Sequence, residues 1–382
     1  MEQETQTPHK RRVRYKGKYP RKFEEKYKEL NPEKYKDTIE HVISKGNTPA
    51  GMHISIMVKE ILDFLKIQPG ETGFDATLGY GGHTKAMMEC LHGEGHMYAT
   101  DVDPEESAKT RKRLAEQGFG EDILTVKLQN FCTIDEIAKE AGGFDFILAD
   151  LGVSSMQIDN PKRGFSFRAD GPLDLRLNQE KGISAAERLD KISREELAGM
   201  LYENSDEPYC EEIAKAITDE IRKGNRVDTT TKLREIIEKI TGFPSGKNEK
   251  KDTVRKTCQR VFQALRIDVN REFEVLYEFM EKLPDALKPG GRVAILTFHS
   301  GEDKLVKKSP QGRIQSRNLF RLCQRCSTSI RTGMRPERTR QINQNALGSQ
   351  IRILNKKKAS GRKSQMPSFI IRAMCLYYLS AP

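Results

Sequence analysis

The feature that most restricts how this chain can fold is an alternation of short apolar segments and amphipathic helices between residues 72 and 152. Apolar runs of this length, separated by helical periodicity, predict strands that pair in parallel through right-handed crossovers. These strands are predicted over residues 73–78, 96–100, 124–128 and 144–149. The sequence therefore predicts an α/β fold built on a doubly wound, Rossmann-like sheet.

The α/β pattern stops after residue 152 and resumes near residue 273. The intervening residues begin as a loop and continue as several short helices with charged outer faces, which predicts a helical insertion within one domain. We place the α/β domain at residues 46–154 and 263–355, the helical insertion at 155–262, a basic arm at 1–45 and a basic tail at 356–382. An apolar run in the tail, Phe369–Leu379, predicts an added strand.

The uneven distribution of charge indicates a polyanionic partner. Residues 1–36 contain 12 Lys and Arg against 6 Asp and Glu, and residues 304–382 contain 18 against a single Glu. Since the whole chain carries +11, the segment between these ends is acidic. Basic ends are typical of nucleic-acid binding, because each cation near a phosphate releases condensed counterions. The basic arm also carries aromatic side chains that can stack on bases, namely Tyr15, Tyr19, Phe23, Tyr27 and Tyr35. Solubility is the alternative explanation.

The remaining composition predicts a cytoplasmic protein. No apolar run approaches the roughly 18 residues that a membrane helix needs, so we expect no membrane association. The charged N-terminus lacks the apolar core of a secretory signal. Seven scattered cysteines predict reduced thiols. Cys323 and Cys326 have the spacing of metal ligands but no second pair follows, so we expect no metal site, with zinc as the weaker alternative.

A glycine-rich turn follows the first predicted strand. Gly79, Gly81 and Gly82 would let backbone N–H groups approach a ligand closely. Asp101, at the end of the second strand, can accept hydrogen bonds from ribose hydroxyls. The dinucleotide fingerprint needs a glycine where this chain has Thr84. The pattern therefore favours S-adenosylmethionine over a nicotinamide cofactor, and a purely structural turn is the third alternative.

The stretch after the fourth predicted strand is hard to explain as packing. Asp150 ends that strand, at the carboxyl edge where open α/β sheets bind their ligands. Residues 153–182 are loop-like, and the stretch from Phe146 to Arg176 is mostly polar, rich in glycine and aromatic residues, and lacks a regular period. Long irregular segments inside a compact domain are usually functional, so we expect this loop to contact a substrate.

Six blocks of sequence resemble, in order, the RsmH (MraW) family, the methyltransferases that act on N4 of a cytidine in small-subunit ribosomal RNA. The blocks cover residues 53–60, 75–83, 101–104, 146–176, 257–266 and 287–303. The longest includes Arg163-Gly-Phe-Ser-Phe-Arg-Ala-Asp-Gly-Pro-Leu-Asp-Leu-Arg176. The resemblance implies a class I methyltransferase sheet, S-adenosylmethionine as the methyl donor, and 16S rRNA or the small ribosomal subunit as the partner.

The resemblance also implies roles for individual residues. The donor would be held by Gly81, Gly82, His83, Asp101, Phe131, Asp150 and Gln157. The residues expected to bind RNA are Arg163, Phe165, Phe167, Arg168, Asp170, Asp174, Arg176 and His299. We expect the arginines to hold phosphates and the two phenylalanines to stack on an unstacked base, with core packing of those rings as the alternative.

Asp150 is the candidate catalytic group. The lone pair of a cytosine N4 amine is delocalised into the ring, so an acceptor beside the donor has to draw hydrogen-bond density from the amine. A backbone carbonyl of the Leu151–Val153 turn is the alternative acceptor. His299 follows a fifth predicted strand, residues 293–298, and it either orients the substrate or caps its own loop.

The chain also departs from the family pattern. The basic arm is an extra segment, and residues 343–349 lack the proline and arginines of the family's run near the C-terminus. A methyltransferase for another RNA position, a DNA methyltransferase, and a non-catalytic ribosome-assembly factor on the same fold therefore stay open. The Asp150-Leu-Gly-Val sequence disfavours the DNA enzymes, whose motif has two prolines and an aromatic residue. Monomer and homodimer are likewise both open.

Overall fold

The computed structural model describes residues 55–242 and 247–308, with two further short strands at Phe320–Arg321 and Arg352–Ile353. The described residues belong to the compact unit that begins at Ser55. The basic arm, the basic tail and the Cys323–Cys326 pair lie outside them.

Five parallel strands form one sheet in the order β3-β2-β1-β4-β5. Their bounds are Thr72–Asp75, His96–Asp101, Leu124–Leu128, Phe144–Asp150 and Leu287–Leu296. The strand order reverses between β1 and β4, so the carboxyl ends of these central strands flank the crevice where open α/β sheets bind ligands. The predicted α/β class is confirmed.

Helices cover both faces of the sheet. They are α1 (Val58–Leu65), α2 (Gly82–Leu91), α3 (Pro104–Glu116), α4 (Ile134–Ala141), and, after the insertion, α11 (Glu272–Ala286) and α12 (Ser300–Lys308). Strand residues alternate between two apolar clusters: Ile147 packs with Phe279 of α11, whereas Phe146 and Leu148 pack with Met87 of α2. Among the helices of the described part of the chain, none is both long and apolar enough to cross a membrane.

The insertion has an apolar cluster of its own. Its helices are α5 (Ser155–Asp159), α6 (Ala185–Lys191), α7 (Arg194–Ser205), α8 (Cys210–Arg222), α9 (Thr230–Thr241) and α10 (Lys247–Asn270). Leu197, Ile213 and Leu233 meet Val261 of α10 in this cluster. The division of the chain into domains stays a prediction, and its boundary at residue 262 lies inside α10, which continues to Asn270 without a break.

Candidate active site

The turn between β1 and α2 requires glycine at residue 81. Gly81 precedes the first residue of α2 with a φ of 79°, a left-handed conformation that side chains disfavour. A Cβ at this position would lie 2.7 Å from Cγ2 of Thr110, so a side chain would also collide with α3. The Thr110 hydroxyl donates to the carbonyl oxygen of Gly79 at 2.6 Å. These contacts fix the turn against α3 at the sheet edge and leave no room for a side chain at residue 81.

Asp75 anchors this turn from below. The carboxylate is buried, and it accepts the Thr77 N–H at 3.0 Å and the Thr84 hydroxyl at 2.6 Å. Burial raises the pKa of Asp75, although the hydrogen bond from Thr84 opposes the rise. Thr84, where a dinucleotide site would have glycine, therefore connects α2 to the end of β1. In the sequence, Asp75 is the first residue of the block 75–83 that resembles the family, and no contact was predicted for it.

Asp101, at the end of β2, faces the same turn. Its Oδ2 accepts the N–H of Gly79 at 2.8 Å, and its Oδ1 accepts the N–H of Asp103 at 2.9 Å. Burial raises the pKa of Asp101 to about 6, because two backbone hydrogen bonds only partly replace the lost hydration. Each carboxylate oxygen has two lone pairs, so Asp101 keeps acceptor capacity for a ligand hydroxyl.

Asp150, at the end of β4, lies beside His83 at the start of α2. Oδ2 of Asp150 is 3.4 Å from Nδ1 of His83, and the backbone N–H of Asp150 donates to the Thr77 hydroxyl at 2.8 Å. The other carboxylate oxygen, Oδ1, is buried and has no hydrogen-bond partner among the described residues. An unpaired buried oxygen is costly, so it indicates an acceptor reserved for a ligand.

The contacts of His83 show which ring nitrogen carries a proton. Nε2 lies 2.9 Å from the carbonyl oxygen of Ile56, which can only accept, so Nε2 carries a proton. In a neutral ring Nδ1 would then point a lone pair at the Asp150 carboxylate. Burial by itself would lower the pKa of His83, but the hydrogen bond and charge of Asp150 outweigh it and raise the pKa. Asp150 therefore favours the charged form of the His83 ring.

Gln157 contacts the end of β2 from the insertion. Its backbone N–H and side chain form a reciprocal cap with Ser154 at the start of α5. The Gln157 side-chain amide also donates to Oδ2 of Asp103 at 3.1 Å. Gln157 thus reaches the donor side of the site, two residues beyond Asp101.

Arg163 is buried instead of facing solvent. Its Nη1 lies 2.8 Å from Oδ2 of Asp103, and the side chains of the two residues are 7% and 1% exposed. Nη2 donates to the carbonyl oxygens of Arg176 and Leu177 at 3.3 and 2.7 Å. A phosphate would have to displace Asp103 to reach this guanidinium. The predicted phosphate contact stays a prediction, and the geometry gives Arg163 an internal partner.

The two phenylalanines predicted to stack on a base differ in burial. Phe165 lies in the apolar cluster of the insertion with 8% exposure, so the structure favours the core alternative for it. Phe167 is half-buried, and its ring meets the ring of Phe262 edge to face at 5.8 Å. Phe167 is thus the better placed of the two for contact with a ligand.

The charged residues of the Arg163–Arg176 loop divide into inner and outer groups. Arg168 and Asp170 are exposed at its tip, where hydrogen bonds from Thr231 lower the pKa of Asp170. Asp174 is buried and holds Nε and Nη2 of Arg176 at 2.7 and 2.8 Å. Burial tends to raise the pKa of Asp174, but Arg176 and its hydrogen bonds lower it. Among the three predicted phosphate contacts, Arg168 is the one exposed to solvent.

His299 lies beyond β5 in a cluster of charged groups. Its Nε2 is 3.2 Å from Glu302, whose other oxygen accepts the N–H of Phe298 at 2.7 Å. Ligand atoms of Glu272, His299 and Glu302 lie within 4.8 Å of one another, a spacing that could hold a metal ion. However, Arg266 donates to both oxygens of Glu272 at 2.7 and 2.9 Å. Arg266 thus supplies one cation to this cluster, at Glu272.

Phe131 follows β3 and begins a short 3₁₀ helix that ends at Thr133. The ring is half-buried and packs edge to face on Phe279 at 5.2 Å. Its position after the third strand is the one expected for a contact to the donor. The predicted donor residues thus follow the ends of β1 to β4.

Asp103 and Asn270 are the site residues that sequence reasoning missed. Asp103 caps α3 by accepting the N–H groups of Glu105 and Glu106, and it also pairs with Arg163. Asn270, the last residue of α10, accepts the Leu177 N–H and donates to the Leu175 carbonyl, both at 2.7 Å. The Asp103-Pro104 pair was readable as a helix start, but no local signal gives the partner of Asn270.

The MraW methylase family matches residues 50–335 of this chain. A protein of Agathobacter rectalis, ribosomal RNA small subunit methyltransferase H 1, is 84% identical over 301 residues, which are 79% of this chain and 86% of that protein. Its namesake in Lachnoclostridium phytofermentans is 69% identical over 307 residues, 80% of this chain and 84% of that protein. Ribosomal RNA small subunit methyltransferase H of Thioalkalivibrio sulfidiphilus is 36% identical over 277 residues, covering 72% and 84% of the two chains. The sequence resemblance is confirmed, and the chain belongs to the MraW methylase family.

Proposed function

We propose that this chain transfers a methyl group from S-adenosylmethionine to the exocyclic N4 amine of a cytidine in 16S rRNA. The methyltransferase class and the donor follow from the family. The observation that supports an amine as the methyl acceptor is the buried Oδ1 of Asp150 at the carboxyl end of β4, which has no hydrogen-bond partner among the described residues. A carboxylate oxygen in that position is suited to an N–H donor.

The residues around the glycine turn fit the donor. We infer that Asp101 accepts hydrogen bonds from the ribose hydroxyls of the donor. Gly81 and Gly82 let the backbone N–H groups of the turn come close to the donor. Phe131 supplies an apolar contact beyond β3, and Gln157 closes the site from the insertion. When bound, S-adenosylmethionine supplies a methyl group attached to a cationic sulfur. The acceptor capacity of Asp101 and the open turn support this fit.

Asp150 is the residue for which we propose a direct role in the chemistry. The methyl group would exchange its bond to the donor sulfur, which keeps the electron pair, for a bond to N4, and one proton then has to leave the amine. Oδ1 of Asp150 accepts a hydrogen bond from the amine, which holds it in place and increases the electron density on nitrogen. The same oxygen can then take the released proton or pass it to water.

His83 is the proposed positioning partner of Asp150. Its Nδ1 lies 3.4 Å from Oδ2, and the Ile56 carbonyl fixes the ring from the other side. This contact orients the carboxylate and leaves Oδ1 for the amine. A ligand role for His83 toward the donor is compatible with this contact, because the ring lies between the glycine turn and Asp150.

The Arg163–Arg176 loop is the proposed substrate side. A cytidine inside a paired or stacked region has to leave its stack to reach Asp150. We infer that Phe167 contacts the displaced base and that Arg168 contacts a phosphate, since both reach the surface of the loop. Asp170, Asp174, Arg176 and His299 stay proposed substrate residues, with Asp174 and Arg176 shaping the loop through their mutual contact.

The identity of the RNA rests on the relatives and on charge. Three relatives carry names that specify the ribosomal RNA of the small subunit. The strongly basic residues 304–382 are suited to a polyanion of this size. We propose that the chain works in the cytoplasm, where it meets this RNA. Whether it acts as a homodimer is tested by its molar mass in light scattering.

The experiment that tests the proposal compares 16S rRNA from cells with and without the gene. Nuclease fragments analysed by mass spectrometry should lose one methyl group at a cytidine in the deletion strain. Purified protein with S-adenosylmethionine should restore that methyl group on small subunits from the deletion strain. A methyl group lost from a uridine or a purine, or unchanged 16S rRNA, would contradict the cytidine proposal.

A further inference from the structure

Arg163 makes contacts that the proposed function does not use. Its guanidinium is buried between Asp103, at the exit of β2, and the carbonyl groups of Arg176 and Leu177, at the end of the Arg163–Arg176 loop. Asp103 lies two residues beyond the donor residue Asp101, and the two carbonyl groups belong to the loop expected to bind RNA. One planar side chain therefore bridges the two halves of the site.

Burial of this ion pair costs free energy, so we expect its contacts to serve the fold or the function. Burying a guanidinium and a carboxylate costs desolvation energy, which the pair recovers only with good geometry. Arginine at a loop could instead be solvated at little cost. The fixed fork of the guanidinium lets it donate in three directions at once, which a lysine ammonium on a flexible stem does less well. The contacts therefore define one position of the loop relative to β2.

Asp103 connects this bridge to the donor residue Asp101. The N–H of Asp103 donates to Oδ1 of Asp101 at 2.9 Å, and Oδ1 of Asp103 accepts the first N–H groups of α3. Its Oδ2 holds Arg163 and Gln157. A ligand that orders Asp101 therefore also orders the carboxylate on which Arg163 depends.

The far end of the loop is strained in this position. Leu175 has a φ of 63°, a left-handed conformation that is unfavourable for a residue with a Cβ. Leu175 is held there because its N–H donates to the Arg163 carbonyl at 3.1 Å and its carbonyl accepts from the side chain of Asn270. Strain that surrounding contacts maintain is released when those contacts are lost. Loss of these contacts would therefore let the loop relax from this docked position.

We propose that Arg163 is a positioning residue that couples occupancy of the donor site to docking of the Arg163–Arg176 loop. The proposal rests on the proposed function, because that function places the donor at Asp101 and the RNA at this loop. Coupling of this kind is reciprocal, so RNA bound to the docked loop also strengthens donor binding. The donor and the RNA therefore assist each other through one ion pair.

The test measures loop docking without RNA and without turnover. Hydrogen exchange of residues 164–176 is followed in the full chain, with and without saturating S-adenosylhomocysteine, the demethylated donor. We expect the ligand to slow exchange of this loop by about fivefold or more, within the usual range of coupling between sites. The R163K variant keeps a charge beside Asp103 but loses the fork, so the ligand should slow its loop by less than about twofold.

A fluorescent reporter provides the second measurement. The chain contains no tryptophan, so F167W introduces a single indole beside Phe262. Its emission should shift when S-adenosylhomocysteine binds, and D103N or R163K in the same background should abolish the shift. The matched control is R188A, which breaks ion pairs with Asp268 and Glu196 inside the insertion without touching Asp103, and it should keep the shift.

Calorimetric titration with S-adenosylhomocysteine separates the two hypotheses. If the wild-type chain binds the ligand and its loop shows no change, or if R163K responds as fully as the wild type, the coupling role of Arg163 is overturned. If the wild-type chain does not bind the ligand at all, the donor site itself is wrong, and the proposed function fails with it.

Discussion

The two sides of the candidate site use their carboxylates in opposite ways. On the donor side, Asp75 and Asp101 accept hydrogen bonds from neutral amides and a hydroxyl, and burial raises the pKa of both. On the substrate side, Asp103 and Asp174 hold the guanidinium groups of Arg163 and Arg176. The donor-side carboxylates retain acceptor capacity for a ligand, whereas those of the substrate side are occupied in fixing the loop.

This difference predicts that the donor-side carboxylates determine ligand affinity and that the ion pairs of the substrate loop determine its fold. A carboxylate kept ionised in a buried place without a cation costs stability, and such groups concentrate at functional sites. A buried pair of opposite charges defines geometry, and its loss leaves the remaining charge stranded. Substitutions on the donor side should therefore change ligand binding and catalysis, and substitutions of the substrate-side pairs should first change the fold.

The largest effect is expected for Asp150→Asn, which keeps the size of the side chain but replaces the acceptor charge. Methyl transfer to small subunits should fall by about 10²–10⁴-fold, the usual contribution of a positioned acid or base. Initial rates with labelled S-adenosylmethionine measure it. D122N, at an exposed carboxylate near the amino end of β3, should keep the wild-type rate. A D150N rate within about threefold of wild type would remove Asp150 from the mechanism.

The next effect concerns stability on the substrate side. Asp103→Ala leaves the Arg163 charge buried and unpaired, and should lower the free energy of unfolding by about 3–5 kcal/mol. The exposed pair of Arg222 and Asp219, at 3.6 Å, provides the comparison. D219A should cost less than about 1 kcal/mol. Urea denaturation followed by circular dichroism measures both, and equal losses would show that the buried pair has no special weight.

A smaller effect is expected for Asp101→Asn on the donor side. A hydrogen bond to a charged group contributes about 1.5–3 kcal/mol, so the affinity for S-adenosylhomocysteine should fall by about 10–100-fold. Calorimetry measures the dissociation constant, and urea denaturation of the same variant measures stability. The comparison of the two sides fails if D101N loses as much stability as D103A while binding the ligand normally.

The smallest effect is the pH dependence of donor binding. The pKa of Asp101 is raised to about 6, so its carboxylate is ionised above pH 6 and gains a proton as the pH falls through that value. Ribose hydroxyls donate to the ionised form, so the affinity for S-adenosylhomocysteine should decrease by about tenfold from pH 7.5 to pH 5. D101N should show a flatter dependence over this range. A wild-type affinity that rises toward pH 5 would contradict the assignment.

The sequence by itself determined the sheet and the donor side of the site. Apolar runs spaced by helices predicted the five strands, and the carboxyl ends of parallel strands necessarily meet at one edge. Gly81, Asp101 and Asp150 could therefore be placed together, because each is set by its position in a local strand–turn–helix unit. Even there, β1 ends at Asp75, three residues earlier than predicted, since the Asp75 side chain turns back to accept the Thr77 N–H.

Only the tertiary structure decided the substrate side. The sequence predicts that Arg163 is a surface cation in a polar loop. In the structure it is buried against Asp103, sixty residues earlier in the chain. Phe165 reads as a stacking ring and joins the apolar cluster of the insertion. Burial and the choice of an ionic partner depend on which distant segments pack around a side chain. An irregular loop has no periodicity that reveals its inward face, so these contacts exist only once the helices around it have assembled.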